Sequence, residues 1–582
     1  MKKLSFIIAF LLGLTSLAKA QWTSPGNGTT YTIDDLVNAS EGCVVGNNSM
    51  VFTVIADVTI SPTDKLLLLD GKQIYMLDAT LTIKGAMIAE GSEDLHCWIG
   101  GDSNSNHASL RLEDCSEPCH FTKVLFTYLT ELQVIGSEVS FVNSDFRHFR
   151  ASSRSEAVNF MNCNPVFDNC LFENNEGAAI SSPVNGHGSP QITNCTFHNN
   201  VTSNINQPQI NLGPGAADTI RIVNCTIEGG GYDMSGGIAI ADLMNTDETK
   251  ILLKNNVVKN NRYGYNQQGY NLSSLIIDNR FVDNNTETNP MNGGSGISIY
   301  GMNTNNKAKL RRNQISGNLW GITAIYYHDI DMGTEDDWGG NAIFGNENGG
   351  IEYALYDNGY SDITAIGNYW GDNDPEYAEQ VIFHRPDLGE TYGLVNYQPI
   401  NELHPEVLRL IAPHGPYNNG LFSTDYEGTI HPEDHTIDLF IPEEELYTYL
   451  INMVLVLPVG ASSDFPTSIF IDLSDPLTFT VTTPHGESQD WTIYLTSNWN
   501  TDENAHETFN LFYDRSQHAI RLTNPMEGEA FVSICNALGQ TVYTGRLGAG
   551  QQIIDISTLP KGLYVVSLAA ERRNCSQKLI VD

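Results

Sequence analysis

The chain is short of positive charge. Lys and Arg number 30 against 69 Asp and Glu, a formal net charge of −39 over 582 residues. Nucleic acid is excluded as a partner on this ground, because its binding rests on Lys and Arg at phosphates. An acidic polysaccharide is repelled too, unless divalent cations bridge the two surfaces. Long apolar runs are missing after the first twenty residues. The mature chain therefore offers no stretch of about eighteen apolar residues with which to span a membrane as a helix. Helical spacing of apolar residues is missing from the centre of the chain. Nor do the ten cysteines make one disulfide framework. Cys170, Cys195 and Cys225 recur at one position of a repeat, while His96-Cys97 and Cys115…Cys119-His120 do not have zinc-ligand spacing.

The start of the chain supplies an address. Lys2 and Lys3 precede the apolar run FIIAFLLGL and then LAKA. This is the pattern of a secretory signal, residues 1–20, cut after Ala20. The mature protein is expected to pass through the periplasm and end up secreted or on the outer cell surface. In such a compartment some of Cys43, Cys97, Cys115 and Cys119 are able to pair.

Between Asn143 and Trp370 one phrase recurs, Asn-x-x-Phe/Ile/Val, often followed by Asn-Asn or Gly-Asn. It reads NCLF then ENN at 169–175, NCTF then HNN at 194–200, and NNVV then KNN at 255–261. It closes with NAIF at 341–344 and GNYW at 367–370. Eight intervals separate 143 from 367, a mean period of 224/8 = 28 residues. A period of this size signals a solenoid. The Cys and Phe of NCxF are two apart, so they share a face of a strand. The Asn-Asn and Gly-Asn pairs supply turns, since both residues tolerate positive φ. Short strands and Asn-rich turns, coiled and stacked about 4.8 Å apart, make a parallel β-helix. Its register predicts one internal stack of Phe172, Phe197, Ile227, Val258, Phe281 and Ile315, with Cys170, Cys195 and Cys225 beside it as reduced thiols.

The flanks resemble known families. Residues 51–90, with Gly85-Ala86-Met87-Ile88-Ala89-Glu90-Gly91, resemble the opening coils of secreted β-helix proteins, and residues 21–50 are expected to cap the first coil. Asn368, Tyr369, Trp370, Gly371, Val395, Tyr397 and Pro399 resemble the terminal coil of right-handed β-helices of the periplasmic copper-protein and pectate-lyase-like type. The β-helix is thus expected over 21–400. Alternating strands over 405–498 resemble an Ig-like β-sandwich. Residues 508–582 carry Gly539-Gln540, then Lys561-Gly562-Leu563-Tyr564, and finally Lys578-Leu579-Ile580-Val581. This resembles the C-terminal sorting domain of type IX secretion, type A. The resemblance implies a small β-sandwich read by the outer-membrane translocon as partner, with Gly539, Gln540, Gly562, Tyr564 and Lys578 in the sorting motif. The family's upstream Tyr-Pro-Asn-Pro is reduced here to Asn524-Pro525. The fold class is therefore all-β: a right-handed parallel β-helix followed by two small β-sandwich domains.

No ordered catalytic set is legible. A polygalacturonase-like site needs Asn-Thr-Asp, Asp-Asp, Gly-His-Gly and Arg-x-Lys in that order, with carboxylates acting across the glycosidic bond. Here Gly186-His187-Gly188 precedes Asn245-Thr246-Asp247 and Asp336-Asp337, and Arg-x-Lys is missing. For a lyase, Lys254, Lys259, Arg262 and Arg280 are candidate bases and Asp233, Asp242, Asp247 and Glu248 candidate acids, but no spacing brings them to one face. The densest acidic loop, 328–338, offers Asp329, Asp331, Asp336 and Asp337 as oxygen ligands for Ca²⁺, without the Glu spacing of an EF-hand. Trp320, Tyr326, Tyr327 and Trp338 crowd the same half and are candidates for stacking on sugar rings. The sequence favours a non-catalytic surface protein that adheres or binds an extracellular glycan. The other reading is a polysaccharide lyase or glycoside hydrolase on the same scaffold.

Overall fold

The computed structural model describes residues 21–581 apart from 93, 103–106, 151–155, 246, 415–421, 443–449, 467, 471–475, 497–509, 515–516, 525–529, 537–539, 549 and 571–572. The secretory signal and its cleavage point at Ala20 lie outside the described residues, as does Gly539. Two compact units divide the chain at Glu402 and Leu403.

The first unit is a right-handed parallel β-helix. Each coil contributes one short strand to each of three sheets, here A, B and C, of 14, 14 and 13 strands, parallel except where Val44–Gly46 joins C antiparallel. One coil runs through Ala79–Ile83 in A, Ala86–Glu90 in B and Cys97–Gly101 in C. Later coils vary in length from 23 to 34 residues.

At two of the three corners the chain is bent by a recurring residue in the left-handed region. From B to C these are Asn143, Asn169, Asn194, Asn224, Asn255, Asp278 and Arg312, at φ between 50° and 58°, and then Gly340 and Gly367. From C to A they include Asn174, Asn199, Asn260, Asp283, Gly317 and Gly345. Asn, Asp and Gly tolerate this conformation. Arg312 does not favour it, and its guanidinium is tied to Asp278 of the preceding coil at 2.8 Å.

The residue after each turn points inward. At the B-to-C corner the inward residues are Ser144, Cys170, Cys195 and Cys225, then Asn256, Asn279, Asn313, Asn341 and Asn368. Each of the last five accepts, at Oδ1, the backbone N–H of the matching residue one coil earlier, at 2.9–3.1 Å. A second ladder runs up the C-to-A corner through Asn175, Asn200, Asn261, Asn284, Asn318 and Asn346. The coil that carries Gly229-Gly230 has no Asn to offer there. Gln209 spans the gap, donating to Asn261 and accepting from Asn200, each at 2.9 Å.

The repeated phrase therefore holds two kinds of Asn, one turning the chain and one buried. Reading both as turn residues sets NAIF one residue out of frame: Ile343, not Phe344, continues the stack. The remainder of the expected stack is in register. Phe146, Phe172, Phe197, Ile227, Val258, Phe281 and Ile315 pair coil to coil, all without exposed surface. Phe172 and Phe197 lie 4.7 Å apart at 2°. Cys170, Cys195 and Cys225 are buried free thiols beside them. The first coil is covered by the helix Ile33–Ala39, which buries Ile33 and Leu36 and starts with a Thr32–Asp35 capping box. Trp370 and Tyr369 are buried in the last coil.

The second unit is built largely of antiparallel sheets. Strands Thr436–Phe440, Leu477–Thr482 and Ser488–Thr496 surround Trp491, whose indole donates to Pro405 O at 3.0 Å. Further on, a three-stranded and a four-stranded sheet enclose Ile520, Leu522, Val532, Ile534, Tyr564 and Val566.

Truncating Phe172 or Phe197 to Ala should cost about 3–5 kcal/mol through the cavity left behind. Gln209→Ala should cost about 1–3 kcal/mol for each of the two amides it orphans. Denaturant unfolding checks both, and Glu173→Ala on the outer face should stay within about 0.5 kcal/mol of the parent.

Candidate functional site

The A-to-B corner of the last coils carries a row of tyrosines. Strands Ser295–Gly301, Trp320–Tyr326 and Leu355–Gly359 of sheet A pair in parallel, which places Gly301, Tyr326 and Gly359 side by side. Tyr300 lies 5.2 Å from Tyr326, Tyr326 lies 6.1 Å from Tyr360, and Tyr327 lies 5.3 Å from Tyr360. Tyr392 extends the row, 6.5 Å beyond Tyr360. Tyr326, Tyr327 and Tyr360 are each 43–48% exposed. Tyr326 sits at φ +60°, a rare conformation for a bulky residue. The corner is packed too tightly to relax it: a Cβ on Gly301 would stand 1.4 Å from Tyr327 O. Leu243, Met244 and Met302 are exposed at the same corner of earlier coils.

The structure separates the four aromatic candidates. Tyr326 and Tyr327 belong to the row. Trp320 begins the strand that Tyr326 ends, roughly 20 Å away at about 3.3 Å per residue. It is half-buried, donates to Pro290 O at 2.9 Å and packs on Tyr353 and Tyr356. Trp338 lies in the connection from sheet B to sheet C and covers Gly367. A single binding side shared by Trp320 and Trp338 is thus corrected, because they occupy different corners of their coils. Tyr300 and Tyr392 were missed, while Tyr360 is one of the aromatic residues that crowd this half of the sequence. Tyr300 carries a signal in the sequence, a tyrosine near the end of a sheet-A segment like Tyr326, but uneven coil lengths hid it, and Tyr392 carries none.

The acids offered for Ca²⁺ are partly held by cations of the chain itself. Arg311, with 4% of its side chain exposed, holds Asp331 through both carboxylate oxygens at 2.8 and 2.9 Å, and Asp337 at 2.8 Å. Lys309 reaches Asp337 at 2.7 Å. Arg311 and Lys309 keep the Asp337 carboxyl well below the usual carboxylate range. Two of the four proposed ligands already have resident cations, while Asp329 and Asp336 point to solvent. Among the described residues no group of three or more His, Cys, Asp or Glu is arranged to hold a metal ion.

Three of the four candidate lyase bases are occupied as well. Lys259 pairs with Glu228 at 3.2 Å, Arg262 donates to Asn206 and to Asn292 O, and Arg280 donates to Gln314. A cavity of 340 Å³ lies elsewhere, at the C-to-A corner of earlier coils, and sequence reasoning did not find it. It is lined by Tyr128, His148, Arg150, Asn174, Glu176 and Thr202, with Tyr128 stacked on His148 at 5.4 Å.

In the C-terminal region, Gln540 and Asn536 exchange two hydrogen bonds at 3.0 Å and close a hairpin. Gly562 opens the strand Gly562–Ala570. Tyr564 is buried and its hydroxyl donates to Pro560 O at 2.7 Å. Lys578 is exposed and pairs across the sheet with Val565.

Residues 515–582 match the family described as Secretion system C-terminal sorting domain. Residues 102–248 match the Right handed beta helix region, and residues 266–377 a Protein of unknown function family (DUF1565). No curated protein matches the chain. Among solved structures it is similar to the crystal structure of the periplasmic alginate epimerase AlgG, at 10% identity and a TM-score of 0.39, over 64% of this chain and 83% of that one. The chain is a right-handed parallel β-helix protein with a type IX secretion sorting domain at its C-terminal end. It is exported by that system to the cell surface or the extracellular space. No helix among the described residues is long and apolar enough to cross a membrane.

The Asp337 geometry predicts an acid response. A carboxylate depressed in the folded state contributes stability above its unfolded value, about pH 4, and loses it as the pH falls toward the folded value. Thermal melts of the parent should drop below about pH 4, and Asp337→Asn should flatten that drop. Calcium or a chelator should leave the melting temperature unchanged, since Arg311 and Lys309 hold the site.

Proposed function

We propose that this exported β-helix binds an extracellular glycan along the tyrosine row of its A-to-B corner, without cleaving it. The observation that carries the reading is the row itself: Tyr300, Tyr326, Tyr327, Tyr360 and Tyr392 follow one another at 5.2–6.5 Å over successive coils. Aromatic rings combine a large apolar face with a polar tip, which suits sugar rings edged by hydroxyls. Export to the cell surface puts the row where polymers are met. The scrambled order of the hydrolase motifs supports binding over turnover, although fold alone does not decide function.

The cavity supports a second reading, a lyase or hydrolase. His148 is a candidate base, Arg150 a cation for a substrate carboxylate, and Tyr128 and Glu176 candidate acids. One assay separates the two readings. The purified mature protein is passed over a panel of polysaccharides and scored for retention and for released ends. Retention without release is expected, and Tyr326→Ala and Tyr360→Ala should each weaken it about tenfold, near 1.4 kcal/mol. Release of unsaturated or reducing ends, abolished by His148→Ala or Glu176→Gln, would promote the enzyme and overturn the non-catalytic reading.

The sorting domain yields a separate expectation. Residues 508–582 are proposed to be read by the translocon and removed on export. Their deletion should trap the protein in the periplasm, as cell fractionation would show, whereas normal surface delivery would refute the role.

A further inference from the structure

The segment Cys115-Ser-Glu-Pro-Cys119 turns the A-to-B corner between strands Ala108–Glu113 and Cys119–Thr122. It fastens three coils. The Ser116 hydroxyl donates to Pro62 O and its N–H to Lys84 O of the next coil at 3.0 Å. Glu117 pairs with Lys65 at 2.6 Å. Both cysteines are free thiols, with Sγ atoms 3.8 Å apart. Each sulfur is anchored. Cys115 Sγ donates to Ile83 O at 3.2 Å, and Cys119 Sγ accepts the Met87 N–H at 3.3 Å.

We propose that Cys115 and Cys119 form a disulfide in the exported protein, which locks this corner of the opening coils. Three observations carry the proposal: the sulfur separation, the short loop that joins the two residues, and export to an oxidising compartment. The sulfurs need to close to about 2.05 Å, a shift taken up within the loop. By contrast, Cys170, Cys195 and Cys225 stack in successive coils with parallel side-chain directions, a poor geometry for bridging.

The chemistry is thiol–disulfide exchange with an oxidised protein dithiol of the extracytoplasmic space. The Cys119 thiol donates to Cys115 Sγ, which lowers the Cys115 thiol pKa and raises that of Cys119. Cys115 is therefore the attacking thiolate. It bonds to one sulfur of the carrier disulfide and expels the other as a thiolate. Cys119 then loses its proton, attacks Cys115 Sγ and expels the second carrier thiolate. Two thiols here are oxidised, the carrier disulfide is reduced to two thiols, and the two protons released here protonate them.

The test uses protein recovered from the culture medium or cell surface, denatured and alkylated without reduction. Trypsin releases residues 112–123, which hold these two cysteines and no others. The expected peptide lacks two hydrogens relative to the dithiol and takes up alkyl groups only after reduction. In Cys115→Ser, Cys119 should alkylate without reductant. Two alkyl groups on the unreduced parent peptide, or a cross-link from either cysteine to another peptide, would overturn the proposal.

Discussion

Everything in the first unit depends on two corners at which one left-handed residue is followed by one that points inward. A single left-handed residue bends the chain within about 3.5 Å, so the residue after it is driven into the stack. That economy leaves a backbone N–H buried at every corner, and a buried N–H without an acceptor costs more than an ordinary hydrogen bond gives. The inward residue after each turn supplies the acceptor. In the earlier coils it is sulfur: Cys195 Sγ accepts the Cys170 N–H at 3.4 Å. In the later coils it is an Asn amide at 2.9–3.1 Å, whose own N–H groups go to carbonyls of earlier strands. The Asn coils carry the stronger ladder.

Much of this was legible because stacking repeats the same constraint coil after coil. Phe146, Phe172, Phe197 and Ile227 share register because a one-residue slip would send each of them to the outer face. What could not be read was the division of labour between adjacent asparagines. Asn255 and Asn256 look equivalent in the sequence, yet one adopts φ +54° and the other is fully paired inside. Gln209 shows the same limit. No local pattern says that a glutamine of sheet A fills a vacancy left in the coil of Gly229-Gly230; only the three-dimensional stack does.

The outer features were less legible because they do not repeat. Corner loops differ in length, so a mean period of 28 places Trp320 and Trp338 near one another in coil number while their corners differ. The acidic loop was legible only in part, for an electrostatic reason. Asp331 and Asp337 read as free ligands in a strongly acidic chain, but Arg311, a sheet-B residue twenty positions before Asp331, sits beneath them. In a chain with 69 acidic and 30 basic residues, each Lys or Arg has many suitors. The few that are buried are therefore better guides to which carboxylates are committed than the density of acids along the sequence.

The same contrast separates scaffold from function. Inside the coils, side chains answer to the coil above and below, and a change at one level is felt at the next. At the A-to-B corner loops of differing length join the sheets, and changes in them leave the two buried ladders undisturbed. This corner holds the exposed tyrosines, the polar pair of His328 and Asp357 buried beneath them at 3.1 Å, and the Cys115–Cys119 loop. The parallel stack converts that freedom into a surface. Coils spaced about 4.8 Å apart bring aromatic residues from separate segments to 5–6.5 Å of one another, a spacing no single strand of this length would produce. The tyrosine row is thus a consequence of how coils stack, assembled at a corner where loop length is free to vary.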